Sequence, residues 1–268
     1  VNKVKKERVD VLLVERGLCE TREAAKRAVM AGIVYTASER LEKPGVKIPA
    51  DTPLTVKGSA SKYVSRGGLK LEKALEVFDI TIDGKLLLDI GASTGGFTDC
   101  ALQNGARHSY ALDVGYNQLA WKLRQDPRVT VMERVNFRHS EAADFTEGLP
   151  EIATIDVSFI SLKLILPVLS GILVPEGDVI ALVKPQFEAG KERVGKKGIV
   201  RDPRVHEDVL ADVAEFASAS GFRLENASYS PITGGEGNIE FLFHLKRGIG
   251  AGREIDFPAL VREAHEAL

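Results

Sequence analysis

Cysteine is almost missing from this 268-residue chain: Cys19 and Cys100 stand 81 positions apart, with no CxxC spacing. That excludes a disulfide scaffold and a cysteine-built zinc site, and it points to a reducing compartment. Long apolar runs are missing too. The longest, Leu164 to Val174, covers eleven residues and is broken by Pro167, Ser170 and Gly171, far short of the ~20 a membrane helix needs. The basic start (Lys3, Lys5, Lys6, Arg8) runs into Asp10, Glu15 and Arg16 instead of an apolar core, so no signal peptide is expected. Five histidines lie scattered without metal-ligand spacing, and no HExxH occurs. There is no internal repeat and no low-complexity tract. The expectation is a cytoplasmic protein with no metal and no membrane partner.

What is present is ordinary globular composition, 44% hydrophobic and 28% charged with 25 Gly and 11 Pro, which excludes collagen-like and disordered classes. At roughly 150 residues per domain, the length suggests one large domain and one smaller module. The net charge of −2 hides an asymmetry. Residues 1–70 carry 15 Lys+Arg against 8 Asp+Glu, a balance of +7, and the remainder balances at −9. A basic module on an acidic body suggests a polyanion partner, although a solvated basic face would have the same composition.

The N-terminal pattern is helical. Val9, Leu12 and Leu13 share one helix face, with Gly17 past its end. Thr21 is placed to cap a second helix with Glu23 in its first turn. Ala24, Ala25, Ala28 and Val29 form its buried stripe, and Gly32 ends it. Short strands are expected at Ile33–Thr36 and Leu54–Lys57. The expected division is a module over 1–58, a linker over 59–66, a large domain over 67–246 and a C-terminal extension over 247–268. In that extension Phe257, Leu260, Val261, Ala264 and Leu268 predict an amphipathic helix after Pro258.

From Leu86 onward, short apolar runs alternate with helical stretches. Strands are predicted at Leu86–Ile90, Ser109–Asp113, Val129–Glu133, Ile152–Asp156, Val179–Val183, Arg223–Ser228 and Ile239–Leu245. Helices are predicted at Leu69–Phe78, Phe97–Asn104, Asn117–Arg124, Ser161–Leu173 and Arg204–Ser220. This alternation predicts an α/β fold, a Rossmann-like parallel sheet with helices on both faces, beside a small α+β N-terminal domain. Ligands of such sheets bind at the carboxyl ends of the strands, so the informative residues should follow each strand.

They do. The first strand runs into Asp89-Ile-Gly91-Ala92-Ser93-Thr94-Gly95-Gly96-Phe97, where small residues let backbone approach a ligand and the next helix offers free N–H groups. A phosphate-binding P-loop needs lysine at Phe97, and a dinucleotide G-x-G-x-x-G is broken by Ser93 and Thr94. The D-x-G-x-x-x-G pattern that remains resembles the first motif of the S-adenosylmethionine-dependent methyltransferases, with Ser93 where that family more often has glycine. Asp113 closes the second strand, where a carboxylate can hold ribose hydroxyls. Asn136 and Phe137 follow the third strand and are candidates for adenine contact. Asp156 ends the fourth strand, Lys184 the fifth, Glu240 opens the last, and Lys70 lies on the helix entering the domain. Lysine directly after a buried strand is the least expected of these, because lysine is rarely buried without a partner.

Two resemblances follow. The stretch RVDVLLVERGLCETREAAKRAVMAGIVYT resembles the S-four-type RNA-binding domain, which implies that Arg8, Arg22, Lys26 and Arg27 face RNA backbone. Lys70, Asp156, Lys184 and Glu240 match the Lys-Asp-Lys-Glu tetrad of the FtsJ-like ribose 2′-O-methyltransferases. SRGGLKL, DIGASTGGFT, DVGYNQLAW, DVSFISL, LVKPQFE and GNIEF occur in the family's order. The whole, over about residues 7–246, resembles the TlyA family, often labelled haemolysins. The resemblance implies a class I methyltransferase domain, S-adenosylmethionine as cofactor at Asp89, the 91–97 loop, Asp113, Asn136, Phe137 and Asp156, and ribosomal RNA, within assembled subunits, as partner. It also implies methylation of a cytidine ribose hydroxyl.

A ribose hydroxyl is a poor nucleophile at neutral pH, so Lys184 is expected to act as general base, with Asp156 and Glu240 orienting the lysines and the hydroxyl. The segment Ala189–Pro203 carries Lys191, Arg193, Lys196, Lys197 and Arg201 and is expected to form a mobile lid contacting RNA phosphate. Tyr63, Val64, Ser65 and Arg66 join the modules, with Tyr63 and Arg66 expected at the RNA. Three alternatives stay open: a base-amine methyltransferase, of whose acid-Pro-Pro-aromatic turn Asp156-Val-Ser-Phe159 keeps only the ends; a membrane-lytic haemolysin; and a non-catalytic RNA-binding protein.

Overall fold

The computed structural model describes residues 5–19, 21–57 and 62–268. Part of the expected linker, residues 58–61, therefore lies outside the described residues. The chain forms two compact units, residues 1–62 and residues 63–268.

In the first unit β1 (Lys6–Arg8) leads into α1 (Val9–Glu15), and α2 (Arg22–Met30) follows. The Thr21 hydroxyl accepts from the Ala24 N–H at 3.1 Å, as its position predicts. β2 (Val34–Tyr35), β3 (Lys47–Pro49) and β4 (Thr55–Val56) complete the unit. β1 pairs antiparallel with β3, and β2 with β4. Val9, Leu13, Ala25, Val29, Val34 and Leu41 form its core. The sequence reading misses β1 and β3, because Lys-Glu-Arg and Lys-Ile-Pro carry no alternating apolar face for a period-two pattern to register.

The second unit opens with α3 (Gly67–Val77), then β5 (Leu86–Ile90), α4 (Gly96–Gln103), β6 (His108–Leu112), α5 (Trp121–Arg124), β7 (Val129–Met132) and β8 (Ile152–Ile155). It continues with α6 (Leu166–Ser170), β9 (Asp178–Val183), α7 (Pro185–Glu188), α8 (Pro203–Ala219), β10 (Phe222–Tyr229), β11 (Phe241–Arg247) and α9 (Phe257–Ala267). The seven strands lie in the order β10-β11-β9-β8-β5-β6-β7. Five are parallel; β11 runs antiparallel to both β9 and β10. The last two predicted strands are thus a hairpin at the sheet edge, a departure from the expected parallel sheet. The eleven residues between them, 230–240, hold only one 3-10 turn and no α-helix of the kind that usually makes a parallel crossover.

Alternate residues of each strand feed opposite cores. Leu86, Leu88, Ile90, Val179, Ala181, Phe241 and Phe243 face one core, which α6, α8 and α9 complete through Leu166, Leu210, Val213 and Val261. Leu87, Ala111, Ile180, Leu182 and Leu242 face the other, completed from α3 and α4 by Leu71, Ala74 and Ala101. α9 begins where the sequence predicts, with Asp256 accepting from the Ala259 N–H at 2.9 Å. Leu268 ends outside the helix and is exposed.

Two helices fall short of prediction. α5 covers only the end of Asn117–Arg124, because Asn117 sits at φ +57°, outside helical space, while its N–H donates to Glu133 at 3.0 Å. The Ser161–Leu173 stretch divides into a 3-10 turn at Leu162–Leu164 and α6, where Pro167 cannot supply the N–H that a continuous helix would need.

Candidate active site

The first crossover, β5 to β6, runs to one side of the sheet, and β8 lies on the other side of β5. The crevice between the carboxyl ends of β5 and β8 is therefore the topological switch point. Here the two strand-end loops touch. Gly91 sits at φ +84°, and a Cβ on it would collide with the Asp156 carbonyl oxygen. Gly95 (φ +100°) likewise admits Leu123, and Gly96 admits the Ser65 hydroxyl and the Gly68 amide. These glycines are taken up by close packing within the protein, so their spacing reflects the loop's own construction more than ligand approach. SRGGLKL and DIGASTGGFT prove to be two sides of one joint.

Asp89 lies beneath this loop with both carboxylate oxygens engaged. One accepts from the Thr98 N–H (3.1 Å) and hydroxyl (2.8 Å), the other from the Thr154 hydroxyl (3.1 Å). Burial pushes its pKa up to about 7, against the opposing pull of those donors. Asp113, at the end of β6, accepts from the Ser93 N–H (2.8 Å) and the Gly115 N–H (2.7 Å), which fixes its carboxylate at the mouth of the loop. Asn136 is exposed and caps a 3-10 turn by accepting from the Arg138 N–H at 3.1 Å. Phe137 is a correction: its ring is buried in the core with Tyr110 and Phe145 and has no face free for adenine. An aromatic following a polar turn residue reads the same from sequence whether it points in or out.

The four polar residues converge. β11 runs opposite to β9 with Phe241 paired to Val183, so Glu240, just before one strand, and Lys184, just after the other, share an end of the sheet. α3 brings Lys70 to the same place. Lys70 Nζ lies 2.6 Å from Glu240 Oε2 and 3.5 Å from Asp156 Oδ2. Lys184 Nζ lies 2.5 Å from Asp156 Oδ1, 4.0 Å from Glu240 Oε1 and 3.4 Å from the Ser158 hydroxyl. Side-chain exposure is only 9% for Lys70, 8% for Lys184 and 3% for Glu240. Burial alone would raise the Asp156 pKa; the ammoniums of Lys70 and Lys184 outweigh it and hold the carboxyl below its usual range. Two carboxylates and two ammoniums thus alternate in a cluster that opens to solvent chiefly at Asp156, 22% exposed.

Phe159 enters the sequence reading only as one end of the comparison with the acid-Pro-Pro-aromatic turn, and not as a site residue. It is 91% exposed, at φ +64°, with its ring 5.1 Å from that of Phe187. A bulky residue held in left-handed backbone, facing solvent three positions from Asp156, is unusual enough to suggest function. The sequence signal was an aromatic in the loop just after a strand end, where ligands of such sheets bind.

Tyr63 is a second correction. Its ring is buried against Gly68, where a Cβ would collide with it, and its hydroxyl donates to Glu72. It is a packing residue and offers RNA no surface. Arg66 is exposed at the start of α3. Lys191, Lys196 and Lys197 are exposed on two 3-10 turns. Their segment is tied down: the Val200 N–H donates to Asn238 Oδ1 (3.0 Å), and Asn238 Nδ2 donates to the Gly198 carbonyl (2.9 Å). That anchoring fixes the end of the segment next to Asn238. In the first unit, buried Asp10 clamps Arg8 through two contacts of 2.9 Å and Arg22 through one of 3.2 Å. The Arg8 hydrogen bonds, more than offsetting burial, lower the Asp10 pKa to about 2. Lys26 pairs with Glu23 at 2.7 Å, and Arg27 is exposed.

Comparison with known proteins fits this architecture. Residues 63–247 match the family of FtsJ-like methyltransferases, and residues 7–52 match the S4 domain. The "16S/23S rRNA (cytidine-2'-O)-methyltransferase TlyA" of Mycobacterium tuberculosis is 43% identical over 240 residues, 89% of each chain. The chain belongs to the TlyA family of FtsJ-like methyltransferases. Another relative of this TlyA-family chain is the "Putative rRNA methyltransferase YqxC" of Bacillus subtilis, 66% identical over 98% of this chain and 96% of that one. A solved structure described as "Putative hemolysin from Streptococcus thermophilus" superposes with a TM-score of 0.79 at 56% identity, covering 99% and 98% of the two chains. Among the described residues, no helix is long and apolar enough to cross a membrane, and no three His, Cys, Asp or Glu side chains cluster as a metal site would require.

Proposed function

We propose that this chain methylates the 2′-hydroxyl of a cytidine in ribosomal RNA, within assembled subunits in the cytoplasm, using S-adenosylmethionine. The observation that carries the reading is the buried Lys70–Glu240 and Lys184–Asp156 cluster at the switch point. Two relatives of 43% and 66% identity that bear rRNA methyltransferase names support it.

The residues fit the cofactor. Asp113, prealigned by two backbone N–H groups, retains a second lone pair on each oxygen for ribose hydroxyls. The 91–96 loop leads into the N-terminal turn of α4, and Asp156 stands opposite across the Gly91 contact. Bound there, the cofactor supplies a methyl group already activated on a sulfonium. Lys184 Nζ would take the proton of the ribose hydroxyl as that oxygen accepts the methyl group the bound cofactor would supply. To accept that proton Lys184 must first be neutral, and Asp156 and Glu240 fix where its amine points. Lys70 neutralises Glu240 and keeps the cluster from holding two uncompensated carboxylates. Holding the hydroxyl in line supplies a large part of the acceleration. Phe159 offers an exposed ring on which a nucleobase can stack. In the first unit, Arg8, Arg22, Lys26 and Arg27 bind RNA phosphates, the two arginines preoriented by Asp10. Arg66, Lys191, Lys196 and Lys197 add phosphate contacts from the second unit.

The test uses methyl-labelled S-adenosylmethionine with purified small subunits, large subunits and protein-free ribosomal RNA. Label should enter RNA, resist removal with the base, and appear on a cytidine ribose. Label on a base would replace this reading with the base-amine one.

A further inference from the structure

Glu240 holds its place through a turn, and that turn is secured from a distance. Residues 234–238 form a tight reversal in which Glu236 sits at φ +59° and Gly237 at φ +84°. The Gly234 N–H donates to the Asn238 carbonyl at 2.8 Å, which lays Gly234 flat against the Glu240 carboxylate. A Cβ on Gly234 would collide with Glu240 Oε1. Asn238 is almost wholly buried, and its side chain makes three hydrogen bonds: Nδ2 donates to Gly235 (3.0 Å) and Gly198 (2.9 Å), and Oδ1 accepts from Val200 (3.0 Å).

The chain of bonds continues. The Val200 carbonyl is 3.1 Å from Nε2 of His206, a fully buried residue of α8. Nδ1 of His206 is 3.0 Å from Nε2 of His265, on α9. A carbonyl can only accept, so Nε2 of His206 carries the hydrogen; its Nδ1 must then accept, and Nε2 of His265 donates. The His206 ring also stands edge-on to Phe241, the residue following Glu240, with centroids 5.5 Å apart. Burial first, and the neighbouring His265 second, lower the His206 pKa to about 4, so the ring stays neutral and able to both give and take a hydrogen bond. Backbone bonds alone close most surface turns; two buried side chains, His206 and Asn238, and the part-exposed His265, spread over 59 positions of sequence, are more than a turn needs.

We propose that His206 and Asn238 are positioning residues for methyl transfer, forming with His265 a hydrogen-bonded relay through which the C-terminal helix α9 fixes the turn that sets Glu240 against Lys70. The same relay anchors the lysine-bearing segment through Val200, so the site and its basic margin are set by one buried chain of contacts. This rests on the reading of the tetrad given above.

The experiment compares wild type with His206→Leu, His206→Gln and His265→Ala in the full chain. Gln places a donor where His has Nε2; Leu keeps volume and donates nothing. His206→Leu should lower kcat by as much as ~10²-fold, the cost of a small displacement at a reacting centre, with KM for subunits little changed, and His206→Gln should recover most of the loss. His265→Ala, on a part-exposed residue, guards against a Leu variant that fails to fold; it should lower kcat more modestly. A folded His206→Leu with wild-type kcat, or a Gln variant as slow as Leu, overturns the relay. Ring ¹⁵N spectra give a readout independent of turnover. His206 should show the Nε2–H tautomer, disturbed in His265→Ala, and the Lys70 ammonium resonance should move in His206→Leu. If wild type labels no RNA while those spectra behave as stated, the functional reading has failed and the relay stands. Unchanged spectra in both variants dismiss the relay alone.

Discussion

The two ends of one sheet handle buried charge in opposite ways. At the amino end, Asp178 opens β9 and is met by His244 at 2.9 Å, Lys85 at 3.4 Å and Lys246 at 3.7 Å. At the carboxyl end, the same strand runs out at Lys184, in the cluster with Asp156, Glu240 and Lys70. The amino-end lysines keep 27% and 33% of their side chains in water, and one carboxylate is shared among three partners. The carboxyl-end lysines are below 10% exposed, facing Glu240 at 3% and Asp156 at 22%. Desolvating four charges costs more than a well-placed pair returns, so such a cluster is poor evidence for stability. The amino end reads as structural reinforcement. The carboxyl end reads as chemistry maintained against a stability cost.

Turnover should separate the two ends most sharply. Lys184→Ala should lower methyl transfer by ~10²–10⁴-fold, the range a lost general base covers, while equilibrium binding of S-adenosylmethionine by calorimetry stays near wild type. Lys184→Arg should be as inactive, because a guanidinium does not give up its proton. An active arginine variant would reduce Lys184 to an orienting cation. Asp178→Asn, at the other end, should leave turnover alone.

Stability should separate them next. Lys70→Met strands Glu240 without its 2.6 Å partner and should cost roughly 3–5 kcal/mol in urea unfolding, whereas Lys70→Met with Glu240→Leu should return most of that or exceed wild type. A double variant no better than the single would mean that the cluster does stabilise the fold.

The ends should also answer to pH with opposite sign. Asp89, beneath the site, has its pKa raised to about 7 by burial, above its unfolded value. Its contribution is whole below about pH 4 and is lost as pH rises to about 7, on the order of 4 kcal/mol. Burial would raise Asp178 as well, but the His244 hydrogen bond and the nearby Lys246 charge prevail and lower it. Its contribution is present at neutral pH and lost as pH falls below about 4, the unfolded value. Unfolding curves from pH 4 to 8 should therefore rise toward acid less steeply in Asp89→Asn than in wild type. Equal slopes would show that Asp89 is ionised throughout.

Much of the carboxyl end could be read from the sequence, because each strand there ends in a polar residue that the preceding apolar run makes conspicuous. Asp156 and Lys184 show themselves that way, and the loop at Gly91 by its small residues. The amino end was not legible, since Asp178 and Lys246 look like ordinary charges flanking a strand. Nor was the direction in which an aromatic points: Phe137 and Tyr63 are buried and Phe159 is exposed, yet all three follow polar neighbours. The antiparallel entry of β11 goes with a connecting segment, 230–240, that folds as a turn and not as a helix. The His206–His265 contact joins positions 59 apart on two helices, and no spacing rule reaches that far.

The smallest expected effect lies at one position of the loop. Ser93 stands where related methyltransferases more often have glycine, and its φ of +49° gives a physical reason. Left-handed backbone costs an L-residue roughly 1–2 kcal/mol, and glycine avoids that at an entropic cost of roughly 0.5–1 kcal/mol. The Ser93 side chain is exposed, and the bond its N–H makes to Asp113 survives the change. Ser93→Gly should therefore raise the melting temperature by about 2–4 °C, the shift that ~1 kcal/mol produces in a domain of this size. Gly95→Ser should do the reverse and more. It puts a side chain at φ +100° and drives its Cβ into Leu123, so strain and collision act together. If Ser93→Gly instead lowered the melting temperature, the hydroxyl would be holding the loop by a contact worth more than the strain. The serine would then mark a difference in how this loop is held, and not a tolerated imperfection in it.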